Sequence, residues 1–478
     1  MQRKQVGSGA ARFGWWWCAQ RLAGAATLLT SFTASCWAQP GAVSAITAFV
    51  HINVVPMDSE RVLRDQTVIV KDGKVSALGI GLTPPEGAVV VDGHGEAYLS
   101  PGLADMHVHS DSRDDLAVYL AHGVTTIANM GGARSGFALR TKPAANRGAN
   151  AAPHVYASFI VDGAADHGHF NVRTPEQARA AVDLAKTNGY DFIKVYNDLA
   201  PEVFTELAMQ GKQQGMPLVG HGVTRVGLRD QLAAGQVLVA HLEEFFYTFF
   251  TEPGAEQTDT PPEDARIPDA IALLKRTGAA VGADLVTYDR IAAQIGHPEV
   301  LAGYLASPEM SHLAPSDRLS WRASGYVGKT AKLGAKLAFL RRMAKAMADA
   351  DVLLLAGTDA PAVPGVFPGT STHDNLRLLE EAGLTRYQAL STATRLPGVF
   401  VQRTIGGEPF GTVTVGGRAD LVLSKDNPLE TLASLRRPLG VMAGGVWRDA
   451  KALQALLDGV AQRYRGAELP AAAASASH

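Results

Sequence analysis

The chain has 478 residues, 46% of them apolar and 19% charged, with a formal net charge of −2. That length suits a barrel with a companion domain. The apolar content excludes a disordered chain, and the charge balance excludes an extended basic surface for nucleic acid.

The first forty residues differ from the rest. Arg3 and Lys4 make a basic start, Leu22 to Ala34 form a short apolar stretch, and Cys36-Trp37-Ala38 places small residues where a signal peptidase reads. Residues 1–38 therefore read as a secretory signal, cleaved after Ala38, and the mature protein is expected to be periplasmic or secreted. The apolar run is short for a membrane span, so no stable membrane insertion is expected after the signal is removed. A lipid-anchored Cys36 and a disordered leader remain as alternatives. Cys18 and Cys36 are the only cysteines, and both lie in this leader. A mature chain without cysteine has no disulfide and no thiolate ligand, so a metal site must use His, Asp, Glu or a modified Lys.

Residues 39–98 read as one half of a β-sandwich. Gln66–Val70 and Lys74–Leu78 alternate around Asp72-Gly73, a hairpin signature, and Ala88–Val91 adds an apolar run. Residues 99–404 alternate short apolar runs with helical patterns. Eight runs occur, at 102–106, 125–130, 155–160, 192–196, 218–220, 237–240, 279–283 and 352–356, as a (β/α)8 TIM barrel of the α/β class requires. Residues 405–470 hold further short strands, including 411–415, 419–423 and 440–447, and read as the second half of a composite β-sandwich built from both termini. Residues 471–478 read as a disordered tail. The stretch 245–334 is long for a barrel and reads as a lid over the site or as a homo-oligomer contact.

Several metal-ligand types end these runs. His107-Val108-His109 follows the first, and side chains two apart on a strand point the same way, so two imidazoles can meet one ion. His221 ends the fifth run, His241 the sixth and Asp359 the eighth. All five lie at the C-terminal ends of strands, where barrel active sites form. Lys194 lies within Phe192-Ile193-Lys194-Val195-Tyr196, an apolar strand that is costly for a charged amine. Reaction with carbon dioxide removes that charge and gives an anion able to bridge two cations. A carboxylate partner or an outward orientation is the alternative. Asp166-His167-Gly168-His169 is a second His-x-His in a Gly-rich loop, so His167 and His169 are candidate substrate contacts, with solvated loop histidines as the alternative. Tyr196, ending the lysine strand, is a third candidate contact. Arg225, four residues after His221, could hold a substrate carboxylate or lie on the surface.

Together, Pro101–His109, Phe192–Val195, His221, His241 and Gly357-Thr358-Asp359-Ala360 resemble the amidohydrolase superfamily. The resemblance is strongest to its imidazolonepropionase-like, metal-dependent dipeptidase-like branch, to whose helix after the eighth strand Thr372–Leu384 is similar. It implies that His107, His109 and Asp359 bind one divalent ion, that His221 and His241 bind another, and that carboxylated Lys194 bridges both. It also implies a metal-bridging hydroxide as nucleophile and Asp359 as general acid and base. Histidine-rich ligation favours zinc over manganese, cobalt or iron. The implied activity is cleavage of an amide C–N bond in a small molecule such as an N-acyl amino acid or a dipeptide. A mononuclear cyclic-amide hydrolase or deaminase and a non-catalytic binding barrel are the competing readings. Val223 stands where several dipeptidase relatives carry a substrate-holding Tyr, which counts against a proline dipeptide.

Overall fold

The computed structural model describes residues 46–465 apart from Gln257 and Asp259. The signal read in 1–38 and the tail read in 471–478 lie outside them.

Eight parallel strands follow one another in sequence order: Leu103–Val108, Val124–Asn129, His154–Asp162, Phe192–Val195, Leu218–Gly220, Leu238–Val239, Ala280–Gly282 and Leu354–Leu355. They fall on the eight apolar runs. Parallel strands are covered on both faces, so they carry continuous apolar sequence rather than alternation. Met106, Tyr156, Phe192, Leu238 and Leu355 belong to one cluster filling the barrel interior. The barrel closes where the Met106 N–H donates to the Ala356 carbonyl at 2.8 Å and Val108 bridges Ala360. Gly357 permits that approach, since a Cβ there would lie 2.7 Å from His107 Cβ.

A second sheet is built from both ends of the described chain. Thr47–Val54 pairs antiparallel with Leu63–Lys71 and parallel with Tyr98–Pro101, which pairs antiparallel with Leu421–Ser424. The Asp72-Gly73 hairpin forms as expected, with φ of 52° and 75° at its two turn residues. Residues 411–415, expected as a strand, form none. Val413 N–H instead donates to the Pro56 carbonyl at 2.9 Å, and Gly411 and Gly416, at φ of 83° and 88°, break the pleat at both ends. A helix, Ala450–Arg465, follows the last strand and packs on Arg113–Ala121. The segment between the seventh and eighth strands holds helices Leu285–Gln294, Pro298–Leu305, Pro315–Arg322 and Gly334–Asp349. Among the described residues no helix is long and apolar enough to cross a membrane.

Candidate metal centre

The first strand carries Ala104 and Met106 inward. Strict alternation would send His107 outward. The register with the second strand shifts between Asp105 and Val108, and this bulge turns His107 and His109 inward while Val108 joins the outer core. His107 Nε2 then lies 3.3 Å from Asp359 Oδ1, and His109 Nε2 lies 2.9 Å from the same oxygen. Asp359 itself sits at φ of 61°, a left-handed conformation that Asp tolerates better than most residues.

Lys194 is buried on the fourth strand with its Nζ 3.2 Å from His107 Nε2. On the fifth strand Gly220 pairs with Val195 beside it, and a Cβ there would meet Val195 O at 2.3 Å and Lys194 Cγ at 3.1 Å. His221 and His241 complete the group. The His241 ring centroid lies 4.3 Å from that of His107 and 4.9 Å from that of His221. All six predicted ligating residues are therefore brought together at the C-terminal mouth of the barrel.

Each imidazole directs Nδ1 away from the centre. His107 Nδ1 faces the Ala240 carbonyl at 3.3 Å and His109 Nδ1 faces the Gly131 carbonyl at 3.0 Å. His221 Nδ1 lies 2.6 Å from Glu244 Oε1, and His241 Nδ1 contacts Asp284 Oδ2. Nε2 is thereby left for the centre, the arrangement a neutral imidazole ligand needs. Among the described residues, His107 with His109 and Asp359, and His107 with His241 and Asp284, are grouped closely enough to hold an ion. This donor set fits divalent metal of the zinc type.

The electrostatics follow from burial set against near charges. Burial, then the Lys194 charge, holds His107 well below the ordinary imidazole range. Burial takes His221 down to about 4 against the pull of Glu244. His241 goes the other way, up to about 10, because the Asp284 and Glu243 carboxylates outweigh its burial. Burial lowers the Lys194 amine to about 8, favouring its neutral form. Asp359 is held well below the usual carboxylate range, since hydrogen bonding and charge from His109, with His241 and Lys194, overcome burial.

The candidate substrate contacts divide. Tyr196 stacks against His221 at 4.1 Å between ring centroids, and His167 and His169 lie edge-on to Tyr196 at 4.9 and 4.6 Å. These three form an aromatic wall beside His221. Arg225 is exposed, donates to the Asp198 carbonyl at 3.1 Å, and is not part of that wall. The sequence reading missed Glu244, Asp284 and Asp105. Asp284 follows the seventh apolar run as His241 follows the sixth, so the same positional rule would have found it. Asp105 is buried, accepting hydroxyl hydrogens from Thr358 at 2.7 Å and Thr372 at 2.9 Å, and burial pushes its carboxyl up to about 7.

No protein-family model and no curated protein matches the sequence. Solved structures do match. A bottromycin amidohydrolase is 25% identical with a TM-score of 0.68, covering 87% of this chain and 90% of its own. A Xaa-Pro dipeptidase with methionine bound in its active site is 20% identical with a TM-score of 0.61, covering 85% of this chain and all of its own. The ochratoxinase of A. niger is 18% identical with a TM-score of 0.61, covering 85% and 96%. The last two attest to the fold. The first likeness, together with the motif order and the converging ligand set, makes this chain similar to the amidohydrolase superfamily.

Proposed function

We propose that this chain is a metal-dependent hydrolase of carbon–nitrogen bonds that cleaves the amide of an N-acyl amino acid or a dipeptide. The observation that carries the reading is the convergence of His107, His109, Lys194, His221, His241 and Asp359 at one barrel mouth. In this reading His107, His109 and Asp359 hold one divalent ion, zinc foremost, and His221 and His241 hold a second. Lys194, as a carbamate, would supply an anionic ligand to both. The neutral amine attacks carbon dioxide, an N–C bond forms, and one proton leaves to solvent, so the side chain becomes an anion.

When bound, the ions acidify water and polarise the scissile carbonyl. Asp359 accepts the proton of the attacking water and delivers it to the leaving nitrogen. Its low proton affinity keeps it ionised. The wall of Tyr196, His167 and His169 faces the substrate beside His221. We place the working enzyme in the periplasm or outside the cell, on the leader read in residues 1–38.

The test is a screen of N-acyl amino acids, dipeptides and lactones against the zinc-loaded mature protein, with metal counted per chain. Two equivalents and turnover of an acyclic amide are expected. One equivalent with turnover of a cyclic amide selects the mononuclear reading. Metal binding without turnover of any compound selects a binding protein.

A further inference from the structure

The four imidazoles of the centre are braced in two ways. His107 and His109 direct Nδ1 to main-chain carbonyls, Ala240 O and Gly131 O, which are neutral and fixed by the fold. His221 and His241 direct Nδ1 to side-chain carboxylates that come from different places in the chain. Glu244 lies on the helix Glu244–Thr248, three residues after His241, yet it braces His221. Asp284 follows the seventh strand and braces His241. Both carboxylates are 2% exposed.

Their remaining contacts show that the side chains are aimed. Glu244 Oε2 accepts the Gly222 N–H at 2.9 Å, which ties the carboxylate to the residue after its own histidine. Asn197 Nδ2 adds a longer contact at 3.5 Å. Asp284 Oδ2 is also within 3.4 Å of the Thr287 hydroxyl. Among the described residues, Asp284 Oδ1 is buried with no hydrogen-bond partner. Holding a buried carboxylate that is only half satisfied is costly unless a nearby cation or N–H compensates. The imidazole N–H of His241 is one such group, and a cation bound at its Nε2 would be another.

Resting on the two-ion reading above, we infer that Glu244 and Asp284 are positioning residues that fix the tautomers of His221 and His241. Neither needs to touch substrate or the reacting atoms. Each keeps a proton on Nδ1, points the Nε2 lone pair at the barrel axis, and makes the ring a stronger donor through its negative charge. The first pair, held by carbonyls, does not depend on them. The second ion position is therefore the one that a change at either carboxylate weakens.

The experiment compares Asp284→Asn, Glu244→Gln and the two Ala variants with the parent protein, each stripped and titrated with zinc against a competing chelator. Losing such a partner typically costs 10–100-fold in metal affinity. That loss is expected for one of the two equivalents in the Ala variants, with a smaller loss in the amide variants, which keep an acceptor but not the charge. The second equivalent should hold as in the parent. Nitrogen chemical shifts of His221 in the ion-free protein report its tautomer directly, and they should show mixed tautomers in the Glu244→Ala variant at an unchanged melting temperature. Parent-like affinity for both equivalents with parent-like tautomers overturns the proposal. So does loss of all zinc from a folded Asp284→Asn protein, which would make Asp284 a direct ligand. A parent protein that binds no zinc overturns the two-ion reading itself, and is recognised before any variant is made.

Discussion

Lys194 and Asp359 occupy the same buried centre and are expected to respond differently when changed. Lys194 is the largest polar side chain in the barrel interior that is fully buried, and its Nζ reaches His107. If it bridges the ions as a carbamate, Lys194→Ala removes an anion from both positions at once. Metal content and turnover should then fall together, and a short carboxylic acid should restore part of each by filling the gap. Full metal content and normal turnover in the variant would remove the bridging role. Asp359→Asn keeps the size and one ligating oxygen but cannot take a proton from water. Its turnover should drop by about 10²–10⁴-fold, the usual worth of general acid–base help, with metal content largely kept. Metal analysis and rate on one preparation separate this from a merely structural aspartate, for which stability would fall and turnover per folded molecule would not. At this scale the ligands were legible because each ends an apolar run. Glu244 was not, because it lies on a helix after its strand and braces a histidine from another strand.

At the level of elements, the helix Arg113–Ala121 meets the helices Pro315–Arg322 and Ala450–Arg465 through an acidic knot. Asp115 lies in the first turn, its N–H capped by Ser112 Oγ at 3.0 Å. Burial, with the charges of Asp317, Asp111 and Asp114, pushes its carboxyl up to about 7, and Tyr464 from the last helix faces the same carboxylates. Asp317 is itself pushed up to about 6 by burial and by Asp111. A carboxyl that holds its proton more tightly in the fold than in the unfolded chain stabilises the fold at low pH. That stabilisation is complete below the unfolded value of 3.8 and is lost as pH rises to about 7. At about 1.4 kcal/mol per pH unit, the window is worth up to about 4 kcal/mol. Asp115→Asn carries no charge to repel Asp317, so it should match the parent near pH 4 and exceed it by a few kcal/mol at pH 8. Denaturant midpoints across that range test this, and parallel profiles for variant and parent would refute it. The eight barrel strands were legible because covered parallel strands must be apolar throughout. The bulge at His107 was not, since pairing register depends on the neighbouring strand. The 411–415 strand was misread for a related reason: an alternating Thr-Val pattern fits a strand, but the conformation of its glycines and its bond to Pro56 are set by the packed termini. The helix Ala450–Arg465 went unremarked because the short strands before it dominated the pattern.

Over the whole molecule, the barrel and the second sheet are joined by a residue that belongs to neither strand set. The described residues belong to one compact unit. Arg418, just before the strand Leu421–Ser424, is 5% exposed and lies against the base of the barrel. Its Nε meets Asp420, its Nη2 donates to Thr126 Oγ1 of the second barrel strand at 2.6 Å, and its guanidinium lies 4.5 Å from the Phe410 ring centroid. Asp420 in turn accepts the Gly444 N–H at 2.8 Å, and its carbonyl accepts the Gly102 N–H at the entrance to the first strand. Removing the guanidinium strands a buried carboxylate, and breaking such a pair from one side typically costs about 3–5 kcal/mol. Arg418→Ala should therefore destabilise the protein by that order without touching the metal centre. Adding Asp420→Asn should recover part of the loss, because the stranded charge is then gone. The consequence for cooperativity is sharper. If this contact makes the sheet and the barrel one folding unit, the parent melts in a single transition that releases zinc, and the variant melts in two, an early one confined to the sheet and a later one that releases zinc. A single transition in the variant, at lower temperature and still releasing zinc, would mean that other contacts join the two halves and that Arg418 only adds stability.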